Sequence, residues 1–329
     1  MIRLNHISSS LPVALAGLIA LGVGQATAQE TEGLRFAHIF NDHMVLQCDQ
    51  PLTIWGWAEP NAEVTVTITE DEDEAKALAG EEALARRTPA TGTSEEFHAT
   101  IAYEVHNAPA FRTVAAQARA NDKGLWEAAF EPLHASFTPK YVVAASGDRR
   151  VAVQNVLVGE VWLTSGQSNM EWGLQGDIEW EMERHSADYP AIRYCRVKAL
   201  SDEPMADFAQ RANWIGLGYV QGNLGGVSGV SYYFAVRLHR YLKVPVGIYA
   251  NAVGGTLAEQ WTAREALESL PQLSKFLEGR TTSNCYNGMI LPVSRFTFRG
   301  ALFFQGENNS IGGPVNRCVN VGQAASLSG

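Results

Sequence analysis

Residues 159–172 of the chain read GEVWLTSGQSNMEW, an apolar run that ends in a short polar turn. The apolar run extends from residue 156 to residue 164, which predicts a buried β-strand. Ser168 follows this strand closely, and the small residue Gly166 allows the chain to turn sharply before it. A serine at this position can project its hydroxyl above a sheet, where backbone N–H groups of the next helix face a developing negative charge. Ser168 can equally cap that helix, so spacing alone leaves both roles open.

Apolar strands and helical segments alternate after this point, which predicts an α/β core over residues 155–310. The further predicted strands are residues 192–197, 244–250 and 301–304, and the predicted helices are residues 230–242 and 263–277. Such alternation is typical of a parallel sheet covered by helices on both faces. Ligand sites in these sheets collect at the carboxyl ends of the strands.

The region before the core, residues 29–154, is rich in short strands separated by turn residues. The predicted strands are residues 52–57, 64–68, 126–130 and 141–145. This pattern predicts an antiparallel β-sandwich domain. The composition shifts to Ala, Glu, Thr and Arg at about residues 70–120, where we expect a surface insertion with weak helix at residues 74–86.

The first residues are expected to form a signal peptide, residues 1–28. Arg3 and His6 precede an apolar stretch at residues 11–23, and a small-residue cleavage pattern follows at residues 26–28. The stretch is shorter than the ~20 residues that a membrane-spanning helix requires. A short buried helix or a membrane anchor is the alternative. We therefore expect a secreted or periplasmic protein that has no membrane association after cleavage.

Charge and cysteine content exclude some classes of ligand. The formal net charge of −10 argues against a nucleic-acid partner. The cysteines are Cys48, Cys195, Cys285 and Cys318. Their wide, irregular spacing fits neither a disulfide framework nor a zinc site, so we expect buried free thiols and no metal.

Two further polar loops follow predicted strands, and together with residues 159–172 they carry a resemblance. Residues 159–172 closely resemble the nucleophile block of the bacterial sialate O-acetylesterases. The sequence VGGT at residues 253–256, followed by Trp261, resembles the second block of that family. The third block is matched by YNGMI at 286–290, FRG at 298–300 and QGE at 305–307, and the opening β domain by NDHMVLQ at 41–47 and WGW at 55–57. The resemblance extends from about residue 36 to residue 309, apart from the insertion.

The resemblance implies a three-layer, flavodoxin-like SGNH hydrolase core that removes acetyl groups from sugars without metal or cofactor. It implies that Ser168 is the nucleophile. It also implies that the Ser168 N–H, an N–H from Gly254 or Gly255, and the Gln305 side chain hold the oxyanion. The residues expected to order the pocket through hydrogen bonds are Gln167, Asn169 and Glu307. The acetylated carbohydrate substrate is the expected partner.

The family's general base is a histidine, preceded by an aspartate three residues earlier, near the C-terminus. This chain has no histidine after His239, and residues 311–329 are expected to form an irregular tail. We therefore expect a C-terminally incomplete core, an open sheet edge at residues 301–304, and impaired or absent activity, since a serine hydroxyl without a base is a weak nucleophile. Surface or packing roles are expected for the other histidines considered, which are His106, His134, His185 and His239.

Two other functions remain compatible with the sequence. An acetyl xylan esterase acting on plant polysaccharide would use the same mechanism, so only assays on the two substrates would separate it from the first reading. A non-catalytic carbohydrate-binding remnant would keep the sheet and the polar loops but would not turn substrate over.

Overall fold

The computed structural model describes residues 33–85, 111–218, 224–273 and 277–310. The predicted signal peptide and the predicted tail at residues 311–329 lie outside the described residues. The strands, in chain order, are β1 (Arg35–Phe36), β2 (Val45–Gln47), β3 (Leu52–Trp57), β4 (Glu63–Thr69), β5 (Val114–Arg119), β6 (Leu125–Phe130), β7 (Ser136–Ser146), β8 (Arg149–Gly166), β9 (Asp188–Arg196), β10 (Trp214–Gly218), β11 (Val246–Ala252) and β12 (Gly300–Phe304).

The α-helices are mostly short. They are α1 (Glu72–Ala79), α2 (Glu81–Ala85), α3 (Ser168–Glu171), α4 (Trp180–Ser186), α5 (Gly229–Leu242), α6 (Arg264–Glu268) and α7 (Glu307–Ser310). Tighter or wider helical turns occupy Leu174–Gly176, Leu224–Gly226, Ala258–Trp261, Pro271–Leu273, Tyr286–Ile290 and Leu291–Val293. Within the residues that the structure describes, no helix is long and apolar enough to cross a membrane.

Strand β8 links the two halves of the described chain. Its first half pairs with β7 in antiparallel fashion, from Arg149 opposite Ser146 to Val158 opposite Ser136. Its second half pairs in parallel with β11 and with β12. The resulting nine-stranded mixed sheet has the order β10-β9-β11-β8-β7-β4-β5, and both β12 and β2 also pair with β8. The predicted boundary between residues 154 and 155 therefore falls inside one continuous strand.

The N-terminal half is built from antiparallel strands, as its pattern predicts. Strands β1, β3 and β6 form a separate three-stranded antiparallel sheet. Its buried side chains share one hydrophobic cluster with those of β4, β7 and β8, including Trp55, Trp126, Val66, Val142 and Val153. One short pairing is parallel, since β2 lies beside residues 157–159 of β8.

The insertion is shorter than predicted. Helix α1 begins after Asp71, whose side chain accepts hydrogen bonds from the N–H groups of Asp73 and Glu74. Strand β5, however, lies within the predicted insertion and pairs with β4 along its whole length. Its side chains are Ala, Gln, Val and Arg, and they are alternately half-buried and exposed at a sheet edge. The stretch therefore lacks the apolar alternation that identifies a strand in sequence.

The C-terminal half contains the predicted core strands, but its sheet is not wholly parallel. Strand β10 pairs with β9 in antiparallel fashion. The buried Trp214 fixes this strand, because its indole N–H donates a 3.0 Å hydrogen bond to the Ile39 carbonyl. The helix predicted at residues 263–277 is also shorter, since α6 ends at Glu268 and Pro271 follows. A proline cannot donate the backbone hydrogen bond that would continue the helix.

Helix α5 covers one face of the parallel strands. Its first turn is capped by Ser228, whose hydroxyl accepts a hydrogen bond from the Ser231 N–H. The Ser231 hydroxyl lies 2.8 Å from that of Thr164, which connects the helix to the end of β8. On the opposite face, the described residues contribute loops and short turns and no second long helix. Tyr249 of β11 contacts Phe208 and Phe298 there.

Strand β12 forms an exposed edge among the described residues. It pairs with β8 from Gly300 opposite Trp162 to Phe304 opposite Gly166. Within the described ranges no other strand pairs with it, and the side chains of Phe303 and Phe304 are 56% and 50% exposed. This agrees with the open edge expected at residues 301–304.

The described cysteines behave as buried thiols. Cys48, Cys195 and Cys285 are buried and unpaired, which confirms the expectation for these three residues. Burial raises the pKa of Cys48 and of Cys285 to about 12, so both thiols stay protonated at neutral pH. Cys318 lies outside the described residues.

Because β12 lies close to the end of β8, we predict that adding a side chain at Gly166 destabilises the fold. Gly166 has φ near +138°, and a Cβ there would lie 1.9 Å from the Phe304 carbonyl oxygen. We expect Gly166→Ala to lower the free energy of unfolding by about 3 kcal/mol, because strain and overpacking combine.

Gly147→Ala is the matched control, since Gly147 also has positive φ but has open space around it. It should cost about 1 kcal/mol, the penalty of the left-handed conformation alone. Chemical denaturation measures both values, and equal losses would show that β12 does not constrain Gly166.

Candidate active site

Ser168 lies at the carboxyl edge of the parallel strands. Strand β8 ends at Gly166, the buried Gln167 follows, and Ser168 is the first residue of α3. The Ser168 side chain is exposed, and its hydroxyl lies 3.4 Å from the Gln167 side-chain nitrogen. No hydrogen bond joins the Ser168 N–H to another described residue, as is usual in the first turn of a helix. The serine therefore presents both a hydroxyl and an available N–H at one place.

Backbone hydrogen bonds bring the three predicted loops together at this serine. The Val253 N–H donates to the Gly166 carbonyl at 3.0 Å, and the Gln167 N–H donates to the Phe304 carbonyl at 3.1 Å. A Cβ placed on Gly254 would lie 3.8 Å from Ser168 Cα. The loops after β8, β11 and β12 thus meet at Ser168, as their positions at strand ends predict.

The predicted pocket-ordering residues connect the first loop to the third. The Gln167 side-chain oxygen accepts hydrogen bonds from the N–H groups of Gly306 and Asn308, each at 3.3 Å. The Asn169 side chain donates to Glu307 at 2.9 Å. These contacts join the loop after β8 to the loop after β12.

The predicted oxyanion donors differ in how far they are available. The Gly254 N–H is directed away from an oxyanion, because it donates a 2.6 Å hydrogen bond to Glu171. The Gly255 N–H makes no hydrogen bond with the described residues. The Gln305 side chain donates to the Thr256 carbonyl at 2.8 Å, while its own buried oxygen has no described partner. The N–H groups of Ser168 and Gly255 are therefore available, and the Gln305 amide keeps one N–H beyond its bond to Thr256.

Glu171 is a central residue that sequence reasoning assigned no role. One of its oxygens accepts from Gly254, and the other accepts from Arg196 at 2.8 Å and Lys198 at 2.9 Å. Burial by itself would raise the pKa of Glu171, but the hydrogen bonds from Lys198 and Gly254 and the two positive charges lower it overall. Glu171 therefore stays ionised at neutral pH. In the sequence, only its place within residues 159–172 pointed to Glu171. Its contacts could not be predicted, because Arg196 and Lys198 lie at the end of a different strand.

Asn309 anchors the third loop to the second. Its side chain accepts from the Ala258 N–H at 2.8 Å and donates to the buried Glu259 at 3.0 Å. Glu259 in turn pairs with Arg280 at 3.1 Å. The sequence indicated only that Asn309 belongs to a polar loop, because Glu259 and Arg280 are distant in the chain.

None of the described histidines makes a hydrogen bond to Ser168. His239 is buried in α5 and donates to the Val244 carbonyl at 2.7 Å, and burial lowers its pKa. His134 is exposed beside Asp49, and His185 is exposed on α4. These positions agree with surface and packing roles, and His106 lies outside the described residues.

Trp172 provides an exposed aromatic side chain at the end of α3. It follows α3 directly, and its N–H donates to the Ser168 carbonyl at 2.9 Å. Its side chain is 65% exposed, which is unusual for a large apolar group. In the ranges that the structure covers, no cluster of three or more His, Cys, Asp or Glu side chains is placed to hold a metal.

Comparisons with known proteins point to one class of enzyme. A family model described as carbohydrate esterase, sialic acid-specific acetylesterase, matches residues 158–313. Human sialate O-acetylesterase is 25% identical over 320 residues, which cover 91% of this chain and 53% of that protein. The rat sialate O-acetylesterase is 25% identical over 346 residues, covering 92% of this chain and 57% of that protein.

A solved structure gives the same indication. The crystal structure of a carbohydrate acetylesterase from Xanthomonas citri matches with a TM-score of 0.63 and 26% identity. The match covers 84% of this chain and 52% of that one. The chain thus spans about half the length of the relatives that it matches.

The lowered pKa of Glu171 predicts a pH-dependent contribution to stability. A carboxyl whose pKa is lower in the folded state stabilises the fold above its usual pKa, and this contribution disappears as the pH falls through the lowered pKa. Glu171→Gln should therefore cost up to about 1 kcal/mol at pH 7, because its partners are largely exposed, and progressively less in acid.

Glu181→Gln is the matched control, since Glu181 pairs with Arg184 while 73% exposed. It should change stability by less than about 0.5 kcal/mol at every pH. Denaturant titrations from neutral to acidic pH measure both variants. A Glu171→Gln penalty that does not change with pH would contradict the assignment.

Proposed function

Because the chain is a sialate O-acetylesterase-like protein, we propose that it removes O-acetyl groups from carbohydrates. The described residues supply the nucleophilic serine and the groups that bind the oxyanion. The observation that carries this proposal is the exposed Ser168 at the meeting point of three strand-end loops, with an available N–H. The proposed fold is a flavodoxin-like SGNH core preceded by an antiparallel β-sandwich. The likeness to a solved carbohydrate acetylesterase supports it. Export to a secreted or periplasmic location is part of the proposal.

The proposed reaction uses groups that the structure brings together. The Ser168 hydroxyl attacks the acetyl carbonyl carbon while its proton passes to a base, and the carbonyl oxygen becomes an oxyanion. The N–H groups of Ser168 and Gly255 are available to this oxyanion, and such a donor typically contributes about 3 kcal/mol to transition-state stabilisation. The bond to the sugar oxygen then breaks as that oxygen takes the proton from the base. Water, deprotonated by the base, hydrolyses the acetyl-serine, which releases acetate and returns a proton to the serine oxygen.

The base is the part of this chemistry that the described residues do not supply. No described histidine is hydrogen-bonded to Ser168, and the one hydrogen bond of the serine hydroxyl with a described side chain is with Gln167 at 3.4 Å. An oxyanion hole without the base typically retains a small residual activity, several powers of ten below that of a complete triad. We therefore propose that the described residues alone support only slow turnover.

Trp172 is the proposed surface for the sugar ring. Binding sites for small molecules combine aromatic walls with a few polar groups that fix orientation. Trp172 is 65% exposed, its backbone N–H bonds the Ser168 carbonyl, and its indole lies against Gly176.

The serine assignment predicts a Ser168-dependent release of acetate that external imidazole increases. We expect the purified chain to hydrolyse an O-acetylated sugar slowly, and imidazole to raise the rate by supplying the base. Ser168→Ala should abolish this component at every imidazole concentration. Acetate release measured by an enzyme-coupled assay tests both points.

Ser186→Ala is the control, because Ser186 is an exposed serine whose hydroxyl bonds only the Met182 carbonyl. It should behave as the unaltered chain. Equal rates for the chain and Ser168→Ala would refute the esterase proposal. Rapid Ser168-dependent turnover without imidazole would support the esterase and contradict the expected slow rate.

The Trp172 assignment predicts weaker sugar binding without loss of the fold. Trp172→Ala should weaken binding of an acetylated sugar by about 2- to 10-fold, the range expected for one aromatic contact. Tyr241→Ala removes a ring that is 79% exposed on α5 and should leave binding unchanged. Isothermal titration calorimetry measures both, and unchanged binding by Trp172→Ala would exclude this surface.

A further inference from the structure

We propose that Asn308 is a positioning residue for the esterase reaction. Its side-chain amide holds the Gly255 peptide, so that the Gly255 N–H stays directed to the oxyanion that forms at Ser168. This inference rests on the proposed function, because it assigns a task to a neighbour of a proposed oxyanion donor. Asn308 acts through Gly255, and none of its described hydrogen bonds is to Ser168.

Asn308 contacts the loop of the nucleophile and the loop of the oxyanion donor. It is the second residue of α7, directly after the third loop. Its backbone N–H donates to the Gln167 side-chain oxygen at 3.3 Å, and its side-chain nitrogen donates to the Gly255 carbonyl at 2.7 Å. The Gln167 side-chain nitrogen in turn lies 3.4 Å from the Ser168 hydroxyl. One residue therefore joins the segment of the serine to the segment of Gly255.

Gly255 is the residue of the second loop that most needs this contact. The groups on both sides of it are anchored, since Glu171 accepts the Gly254 N–H at 2.6 Å and Gln305 donates to the Thr256 carbonyl at 2.8 Å. Gly255 itself has φ near +77°, and a Cβ placed on it would meet no atom within 4 Å. A glycine populates both signs of φ readily, so packing alone does not fix the orientation of this peptide.

Holding the Gly255 carbonyl also restrains its N–H. Both groups are attached to the same Cα, and only the torsion angles of this residue relate them. Among the described residues, Asn308 makes the one hydrogen bond to this carbonyl. A carbonyl oxygen only accepts, so the amide nitrogen of Asn308 faces it. A donor stabilises an oxyanion most when it is oriented before the charge develops, and the Asn308 contact supplies that orientation.

A contribution to folding does not account for this contact. Gly255 is exposed and Asn308 is half-buried, so water can replace the amide at the carbonyl. The net contribution of such a hydrogen bond to the free energy of unfolding is small. Gln167 and Thr256 differ in this respect, because both are buried. Loss of the Asn308 amide should therefore change the orientation of Gly255 and leave stability nearly unchanged.

Asn308→Asp tests the contact with the smallest change of shape. It replaces the donating nitrogen by an oxygen, which repels the Gly255 carbonyl. In the acetate-release assay at fixed imidazole, we expect kcat of the Ser168-dependent component to fall about 10- to 100-fold and KM to stay unchanged. Asn308→Ala removes the donor without repulsion, so its loss should be smaller. Asn308→Gln keeps the amide on a longer side chain and should retain part of the rate.

The pH profile of Asn308→Asp distinguishes positioning from loosening of the loop. A protonated carboxyl has an O–H that can donate to the Gly255 carbonyl. The rate of this variant relative to the unaltered chain should rise between about pH 7.5 and about pH 5, towards the usual pKa of aspartic acid. Charged groups of the facing loops, which are Glu307 and Glu171, titrate in both chains and cancel in the ratio. A variant that only loosened the loop would show a constant ratio.

Asn121→Asp is the matched control. Asn121 lies in the N-terminal half, and its side-chain oxygen accepts from the N–H groups of Lys123 and Leu125. The same substitution keeps both of these contacts, so kcat and its pH dependence should equal those of the unaltered chain.

NMR relaxation provides a readout that needs no turnover. The backbone amide of Gly255 should be ordered in the unaltered chain and should lose order in Asn308→Asp and Asn308→Ala. Gly147 also has positive φ in open space, and its amide should behave alike in all chains. Chemical denaturation of each variant shows whether the fold is retained.

The outcomes separate this inference from the esterase proposal. Ser168-dependent turnover that Asn308→Asp leaves unchanged, or a rate ratio that does not vary with pH, would overturn the inference alone. Gly255 order that is unchanged in Asn308→Asp would also overturn it, whatever the rates. Absence of Ser168-dependent release from the unaltered chain would overturn both proposals. A loss of kcat that recovers in acid, together with loss of Gly255 order, would establish Asn308 as a positioning residue.

Discussion

The parallel pairing of β8 with β11 on one side and with β12 on the other is the constraint on which the site depends. It brings three strand ends to one edge of the sheet, and the loops that follow are then joined by backbone hydrogen bonds at Gly166 and Gln167. Gly166 is necessary because the Phe304 carbonyl lies where a Cβ would be. Ser168 is therefore placed by the main chain of three separate segments rather than by its own loop.

The polar groups around Ser168 divide into anchoring and available groups. Gln167 and Asn309 satisfy backbone and side-chain groups of neighbouring loops, and both are buried. Ionised Glu171 occupies the Gly254 N–H and gathers two cations at the same edge. This leaves the N–H groups of Ser168 and Gly255 available, together with the second N–H of the Gln305 amide. Glu171 therefore connects the loop after β11 to the end of β9 beside the serine.

The N-terminal half is continuous with the site through β8. The strand pairs with the antiparallel β7 up to Val158 and with the parallel β11 from Glu160, so one continuous backbone belongs to both halves. Arg299 adds a second connection, since it pairs with Glu160 and donates to the Cys48 carbonyl. The N-terminal strands contribute to the stability of β8 and place no described side chain at Ser168.

The sequence by itself determined the core strands, helix α5 and the loop that carries Ser168, because buried strands and an amphipathic helix leave periodic apolar patterns. It did not reveal β5, whose sequence is partly polar, or the antiparallel β10, which is short and contains two glycines; both pair along other strands, with β4 and β9. The contacts among Glu171, Arg196 and Gly254 were likewise decided by tertiary structure. These residues are far apart in the chain, and only the order of strands in the sheet makes them neighbours.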